Sequence, residues 1–402
     1  MKFNTDSISV FLKYKLVYWM LYLAIISVSI GSISAFFLWA LDKVGNINEY
    51  HPLTIYFMPI GGLIIVFTYQ FFNKEASEGN KLLFNSYQNK NSILPWLMAP
   101  LVLLGTLITH LIGGSAGREG TAVQMGSVIA SRLNRVFPAH IIPHHKLLLT
   151  IGISAGFAAV FGTPLTAAVF AFEMFSSKKR LHLYYFPLVL IVAFLTHLTC
   201  LAWKVPHTEY AIGLLPVLNL TTVLWVGIAG VLFGLTARVF VFNTHFWADY
   251  FKQIFANPYI RICIGGIGLA FVISYFELNR YSGLGIQYIS QSFYYEAPFF
   301  DFLLKLLLTG LTLGIGFKGG EVTPLFFVGA TLGSFLSLLI PLPIGILAGI
   351  GFVSVFSGAT KTPFACAIMG AELFGFNGFV FFLIATLIAY FISGKKSIYN
   401  HF

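Results

Sequence analysis

The strongest constraint on this sequence is a series of long runs without a single Asp, Glu, Lys or Arg. They cover residues 16–41, 52–72, 95–117, 147–172, 184–203, 210–237, 322–360 and 374–394. A helix needs about 20 mainly apolar residues to cross the hydrocarbon of a bilayer, and each run reaches that length. The composition agrees: 57% of the residues are hydrophobic and 9% charged, where a soluble domain carries roughly 25% charged residues. The chain therefore reads as an all-α integral membrane protein, one polytopic domain over 1–402 with the lipid bilayer as its surroundings. The first run is too long for a signal-peptide core and lacks a small-residue cleavage site. Residues 1–15 read as a short amphipathic lead-in lying on the membrane.

The net charge of +10 comes without a basic run long enough to hold nucleic acid. The excess fits the positive-inside bias instead. Lys2, Lys13 and Lys15, then Lys178, Lys179 and Arg180, then Lys395 and Lys396 would face the cytoplasm. Both termini would lie there, with the chain a multi-pass protein of the cell membrane. Cys200, Cys263 and Cys366 lack metal-ligand spacing and read as packing residues. The His144–His145 pair, with no further ligand at helical spacing, reads as an interfacial pair. No metal or cofactor is expected.

Inside this apolar frame lies G-G-S-A-G-R-E-G-T-A-V-Q-M-G over 113–126. Its glycines let backbone N–H groups turn toward a common point. A helix that begins there offers free N–H donors and the positive end of its dipole, which is an anion site. Glu119 stands where that helix begins, so the carboxylate and an anion compete for one place. A second polar stretch, 73–92, contains Glu78-Gly79-Asn80. It reads as a surface loop or, more sharply, as a second helix start reaching the anion path.

The second half repeats the first. Thr163-Pro164 precedes Glu173 as Thr362-Pro363 precedes Glu372, at the same spacing. Gly117-x-Glu119-x-Thr121 pairs with Gly319-x-Glu321-x-Thr323, and Gly79-Asn80 with Gly283-Leu284-Gly285-Ile286. Recurrence in one order argues for internal duplication, approximately 1–205 and 206–402. In transporters such repeats are often inverted, with the site between broken helices near the midplane.

These motifs resemble the CLC family of chloride channels and proton-coupled anion antiporters. G-R-E-G at 117–120 is similar to the family's G-[RK]-E-G-P, and G-F-K-G-G-E-V-T-P at 316–324 to its G-G-x-F-x-P segment. G-K-K-S-I-Y at 394–399 resembles the terminal segment bearing the family's anion-site tyrosine. The similarity runs from about residue 15 to 399, with no cytoplasmic regulatory domain after it. It implies a fold of two inverted repeats of broken and tilted helices and a homodimer with one pore per subunit. Three departures stand out. Asn80 takes the place of the family's central serine, Thr121 follows G-R-E-G in place of proline, and Glu321-Val322-Thr323 replaces apolar residues. This combination resembles the bacterial fluoride/proton antiporter branch. Met174 stands where chloride antiporters often carry the inner proton-transfer carboxylate, so that route does not carry over intact.

The resemblance makes Glu119 the gating glutamate and gives Glu321 a part in anion–proton coupling. It implies an anion path along Asn80, Gly117, Arg118, Gly120, Val322, Thr323, Phe327 and Tyr399. The physics of small anions is compatible: fluoride needs compact donors or the positive edges of aromatic rings. Glu173 and Glu372 read as structural helix residues with partners in loops, and Lys318 and Arg118 as positive potential beside the entrances or as partners of carboxylates. The activity expected is export of fluoride in exchange for protons, not enzyme catalysis. The rivals are a chloride channel or chloride/proton antiporter and, remotely, an intramembrane serine protease using Ser115 of G-x-S-x-G and His197.

Overall fold

The computed structural model describes residues 5–89, 94–133, 145–175 and 181–399, with side chains from residue 17 onward. The basic cluster at Lys178, Lys179 and Arg180, together with Lys2, Arg135 and His144, lies outside the described residues. Helix follows helix: α1 Thr5–Tyr50, α2 Met58–Phe72, α3 Asn80–Gln88, α4 Met98–Leu111, α5 Glu119–Leu133, α6 His145–Phe161, α7 Pro164–Glu173 and α8 Phe186–Ala202. The second half runs α9 Leu220–Ile254, α10 Pro258–Tyr275, α11 Ile286–Gln291, α12 Phe300–Ile315, α13 Val322–Leu336, α14 Ile344–Thr360, α15 Pro363–Phe374 and α16 Phe379–Ile392. Among the described residues the only β-type pairing is a bridge between Gly117 and Gly320.

Several expected spans are recut. The lead-in is not separate, because α1 continues unbroken from Thr5. The run 147–172 breaks at Gly162–Thr163 and 322–360 breaks between α13 and α14. Proline opens α7 and α15, where the missing N–H costs nothing. The run 210–237 starts as irregular chain; its helix begins at Leu220, capped by the Asn219 side chain, and continues past Arg238 to Ile254. Two apolar helices, α10 and α12, escape a search for charge-free runs because they carry Arg261, Asp301 and Lys305. Each of these charges has a partner in the fold, more than twenty residues away in sequence. Arg261 Nε donates to the carbonyl of Ile315 (3.1 Å), and Lys305 Nζ to those of Tyr281 (3.0 Å) and Gly283 (2.7 Å). Arg280 pairs with Asp301. Charges at membrane depth persist when they are paired or satisfied in this way.

The layers follow from exposure. The stretches Val17–Tyr50, Pro52–Phe72, Leu183–Ala202, Leu220–Ile254 and Pro258–Tyr275 are long and apolar enough to cross a membrane. They present exposed side chains such as Trp39, Phe67, Phe194, Phe242 and Phe271. Shorter helices fill the middle, where α6 from Leu147 to Val160 and α14 from Gly345 to Thr360 are buried throughout. Two helix pairs form this centre in matching ways. In α5 against α6, Gly126 meets Gly152 and Ala122 meets Gly156. In α13 against α14, Gly329 meets Gly351 and Gly333 meets Leu347. Small residues at these crossings let backbones touch, which is how helices gain packing energy where lipid is as apolar as protein.

The two halves also hold each other's helix ends. Glu173, at the end of α7, accepts the N–H groups of Phe364 (3.2 Å) and Ala365 (2.8 Å) in the first turn of α15. Glu372 of α15 accepts those of Leu165 (3.0 Å) and Thr166 (2.7 Å) in α7, and the Thr166 hydroxyl at 2.6 Å. Their partners are thus opposed helix N-termini rather than loops, where a carboxylate satisfies orphan donors and the dipole together.

Two stability outcomes follow. A Cβ at position 152 would lie 2.6 Å from Ser127 Cα, whereas one at Gly268 meets nothing within 4 Å. Gly152→Ala is expected to cost about 1–3 kcal/mol by overpacking, with Gly268→Ala near neutral. Equal melting temperatures for the two would contradict the close crossing. Glu372→Gln leaves one acceptor oxygen for three donors, and thermal unfolding is expected to show a loss of about 1–2 kcal/mol.

Candidate functional site

The turn before α5 and the turn before α13 meet head to head. Gly117 N–H donates to the Gly320 carbonyl (2.6 Å) and Gly320 N–H to that of Gly117 (2.7 Å). This two-bond bridge brings two helix N-termini to one place. A Cβ on Gly320 would stand 2.9 Å from the Gly120 nitrogen, so the contact admits no side chain there.

Glu119 fills the space between them. Its side chain is 1% exposed. Oε2 accepts the backbone N–H of Thr323 at 3.0 Å and that of Arg118 at 3.2 Å, and the Thr323 hydroxyl stands 2.7 Å from both carboxylate oxygens. Arg118 Nε lies 3.5 Å from Oε1. The carboxylate therefore sits at the head of α13, where free donors and the helix dipole favour negative charge. Beside it is a cavity of about 20 Å³, walled by Phe161, Tyr210, Phe326 and Phe352 among others. That is room for one water-sized body.

Glu321, the corresponding acid on α13, behaves differently. It is the cap residue of α13 but makes no side-chain cap bond. No hydrogen bond or ion pair of its carboxylate joins it to another described residue. Val322 and Thr323 open α13 and are buried beside it. Gly120 lies on the far side of the bridge, where a Cβ would come 3.3 Å from Gly320 Cα and 3.9 Å from Asn80 Nδ2.

Asn80 begins α3, so the stretch 73–92 does hold a helix start. Gly79, with φ at +58°, makes the turn that aims it. The Asn80 side chain is held by a residue that the sequence reading did not single out. Gln124, one turn into α5, donates its Nε2–H to Asn80 Oδ1 at 2.9 Å. That bond takes the carbonyl end of the Asn80 amide and leaves both N–H donors for another acceptor. The signal was present in the central motif, because Gln124 is polar, five residues after Glu119 in the same helix and buried in an apolar chain. Thr121 likewise gains a partner, its hydroxyl 2.7 Å from that of Thr106 in α4.

One placement differs from the sequence reading. Phe327 is fully buried and packs edge-on to Tyr281 and Tyr288, with Lys305 Nζ 5.2 Å from its ring. One residue along a helix turns a side chain by about 100°, and it is Phe326 that lines the cavity beside Glu119. Lys318 lines an open cavity of about 760 Å³ together with Lys81, Lys252 and Arg261, its Nζ donating to the Ser77 carbonyl (3.0 Å) and lying 4.8 Å from the Tyr69 ring. Tyr399 is half-buried between Phe84 of α3 (5.7 Å between rings) and Phe170 of α7 (6.4 Å). Ser115 and His197, the protease pair, are not joined. The Ser115 hydroxyl lies 3.1 Å from that of Thr309, and the His197 ring faces His207. His145 bonds Ser86, and among the described residues no group of three or more potential metal ligands gathers.

Comparison with known proteins agrees with this architecture. The family described as voltage gated chloride channel matches residues 60–394. A chloride/fluoride channel protein of Pseudomonas syringae pv. tomato is 40% identical over 95% of this chain and 85% of its own length. The H(+)/Cl(-) exchange transporter ClcA of Yersinia pestis is 25% identical over 75% of this chain and 66% of its own. Among solved structures, a CLC-type fluoride/proton antiporter superposes with a TM-score of 0.91 at 36% identity, covering 96% of this chain and 98% of its own. A slow cyanobacterial Cl-/H+ antiporter shares the fold, with a TM-score of 0.81 over 95% and 96%. With two paired helix N-termini closed by Glu119 and a family match over most of its length, this chain belongs to the CLC family of membrane channels and transporters.

Proposed function

We propose that this protein exports fluoride in exchange for protons, with Glu119 as the group both ions act upon. The observation that carries the reading is the seat of its carboxylate, on the N–H and hydroxyl of Thr323 at the head of α13. An anion needs the same donors, so the two exclude each other. Protonation removes the charge and weakens the charge-assisted bonds that hold the side chain. The freed hydroxyl and amides then receive the anion. Its return in charged form expels the anion, and one proton is carried for the exchange. The cavity at this point has water-sized room, which favours a small ion. The names of the 40% identical relative and of the superposed antiporter support fluoride as the substrate.

The remaining residues take parts in this scheme. Asn80, turned by Gln124, offers two N–H donors from the α3 side, and Tyr399 stands on the same side. Glu321, whose carboxylate has no hydrogen bond within the described chain, is the second proton-carrying group. It takes the task that Met174 cannot perform. Gly117, Gly120 and Val322 shape the backbone around the ion, and Arg118 holds the charged state of Glu119. The matching helix pairs and crossed glutamate caps support two related halves, about 1–205 and 206–402, of inverted topology. The protein works as a homodimer with one pore per subunit in the cell membrane, with both termini cytoplasmic. It is not an enzyme.

In proteoliposomes with fluoride, chloride and pH electrodes, fluoride efflux is expected to drive proton movement. Glu119→Gln is expected to abolish the proton movement, because an amide of the same shape cannot titrate. Coupling that survives the substitution would remove Glu119 from the role, and chloride flux at or above fluoride would overturn the substrate. Gln124→Glu can only accept, so Asn80 must turn its NH2 group to it and its carbonyl to the path. The half-saturating fluoride concentration is expected to rise about tenfold with the fold intact. Asn80→Ser is expected to lower the fluoride/chloride preference, and an unchanged ratio would exclude Asn80 as its source.

A further inference from the structure

The longest helix of the second half ends in a feature that transport does not use. α9 carries no charge from Leu220 to Ala237 and then presents Arg238. At about 1.5 Å per residue Arg238 lies roughly 27 Å along the helix, close to the hydrocarbon thickness of about 30 Å. The end of α16 is at the same level. A Cβ on Gly234 would touch Ala389 and Ile392, and Ala237 Cβ and Ser393 Oγ both crowd Gly358. Between α9 and the turn 393–396 lies an open cavity of about 530 Å³.

Its polar lining includes Arg238, Lys395, Lys396 and one acid, Asp249; its walls include Phe242, Phe246 and Tyr250. Arg238, Lys395 and Lys396 are exposed and form no hydrogen bond or ion pair with any described residue. Toward the bilayer interior from Arg238, Val231 and Leu235 form an exposed apolar stripe on the same helix face, and Phe242 continues that face on the other side of it. Three unpaired cations at headgroup depth below a continuous apolar track match one ligand chemistry: a phosphodiester with an acyl chain attached. Basic pockets between transmembrane helices hold anionic headgroups in this way.

We propose that this cavity is a binding site for one anionic phospholipid of the phosphatidylglycerol type. Arg238, Lys395 and Lys396 hold the phosphate, and the acyl chain lies along α9. The site borders the segment that leads to Tyr399. Lys361 Nζ bonds Ser393 Oγ at 2.5 Å, and Ile398 N–H bonds the Ala359 carbonyl at 3.0 Å. A bound lipid therefore pins the terminal segment against α9.

The test is native mass spectrometry of the full-length, detergent-purified protein titrated with dioleoylphosphatidylglycerol and, separately, with dioleoylphosphatidylcholine. The wild type is expected to retain the anionic lipid at least tenfold more tightly. The variant R238Q/K395Q/K396Q is expected to lose that preference, while K43Q/K204Q, at lysines elsewhere, keeps it. Should the triple variant fail to fold, K395Q/K396Q, confined to an exposed turn, is expected to weaken retention about tenfold in the same assay. Equal retention of the two lipids, an unchanged preference in the variants, or displacement of the lipid by millimolar inorganic phosphate would overturn the proposal. The last result would make this a site for free phosphate.

Discussion

The structure depends on bringing two helix N-termini together without leaving their donors unsatisfied. Backbone N–H groups at membrane depth have no water to turn to, and each one left unpaired costs several kcal/mol. The double hydrogen bond between Gly117 and Gly320 takes one donor from each side. The Glu119 carboxylate takes those of Arg118 and Thr323 together with the Thr323 hydroxyl. The site is therefore built around a negative charge, here that of Glu119. For the exchange proposed above this is a gain, because the donors are already gathered when an anion takes the carboxylate's place.

The same economy of donors explains the rest of the interior. Short helices cannot cross the bilayer, so their ends fall inside it and need partners. α7 and α15 obtain theirs from each other's glutamates. Lys305 and Arg261 complete the carbonyls of broken chain around α11 and α12. Around this polar centre the tight Gly126–Gly152 and Gly329–Gly351 crossings hold the helices at backbone contact. The long apolar stretches that contain α1, α2, α8, α9 and α10 separate the assembly from lipid.

Much of this was legible in the sequence, for physical reasons that differ by feature. The membrane class follows from charge-free runs. The head-to-head site follows from glycines beside an acid that recurs in both halves, whereas the contact of Thr323 with Glu119 shows only once the two turns are placed together. The recurrence of Thr-Pro and Glu at equal spacing marked α7 and α15, but not that each glutamate reaches across to the other helix, since a contact between distant segments leaves no local pattern. α10 and α12 were hidden because Arg261, Asp301 and Lys305 interrupt otherwise apolar helices, and their partners are distant in sequence. Phe327 entered through the resemblance, and which of two neighbouring side chains faces Glu119 turns on helix phase. That phase is set by where α13 starts, and boundaries are the least legible part of a sequence. Gln124 stood in plain view but acquires meaning only when α3 is placed against α5.

The crossed glutamate caps have a consequence for how the protein is made. The first-turn amides of α7 find their acceptor in Glu372, 207 residues further along the chain. At roughly 5–20 residues per second of synthesis, that acceptor arrives on the order of 10–40 s after α7 has left the ribosome. During that interval the first half is in the membrane with a helix end still open, and it cannot reach its final form alone. The last helices thus act as a lock on the whole molecule: a chain that stops before Glu372 leaves the interior of the first half unfinished, however well its own helices are formed.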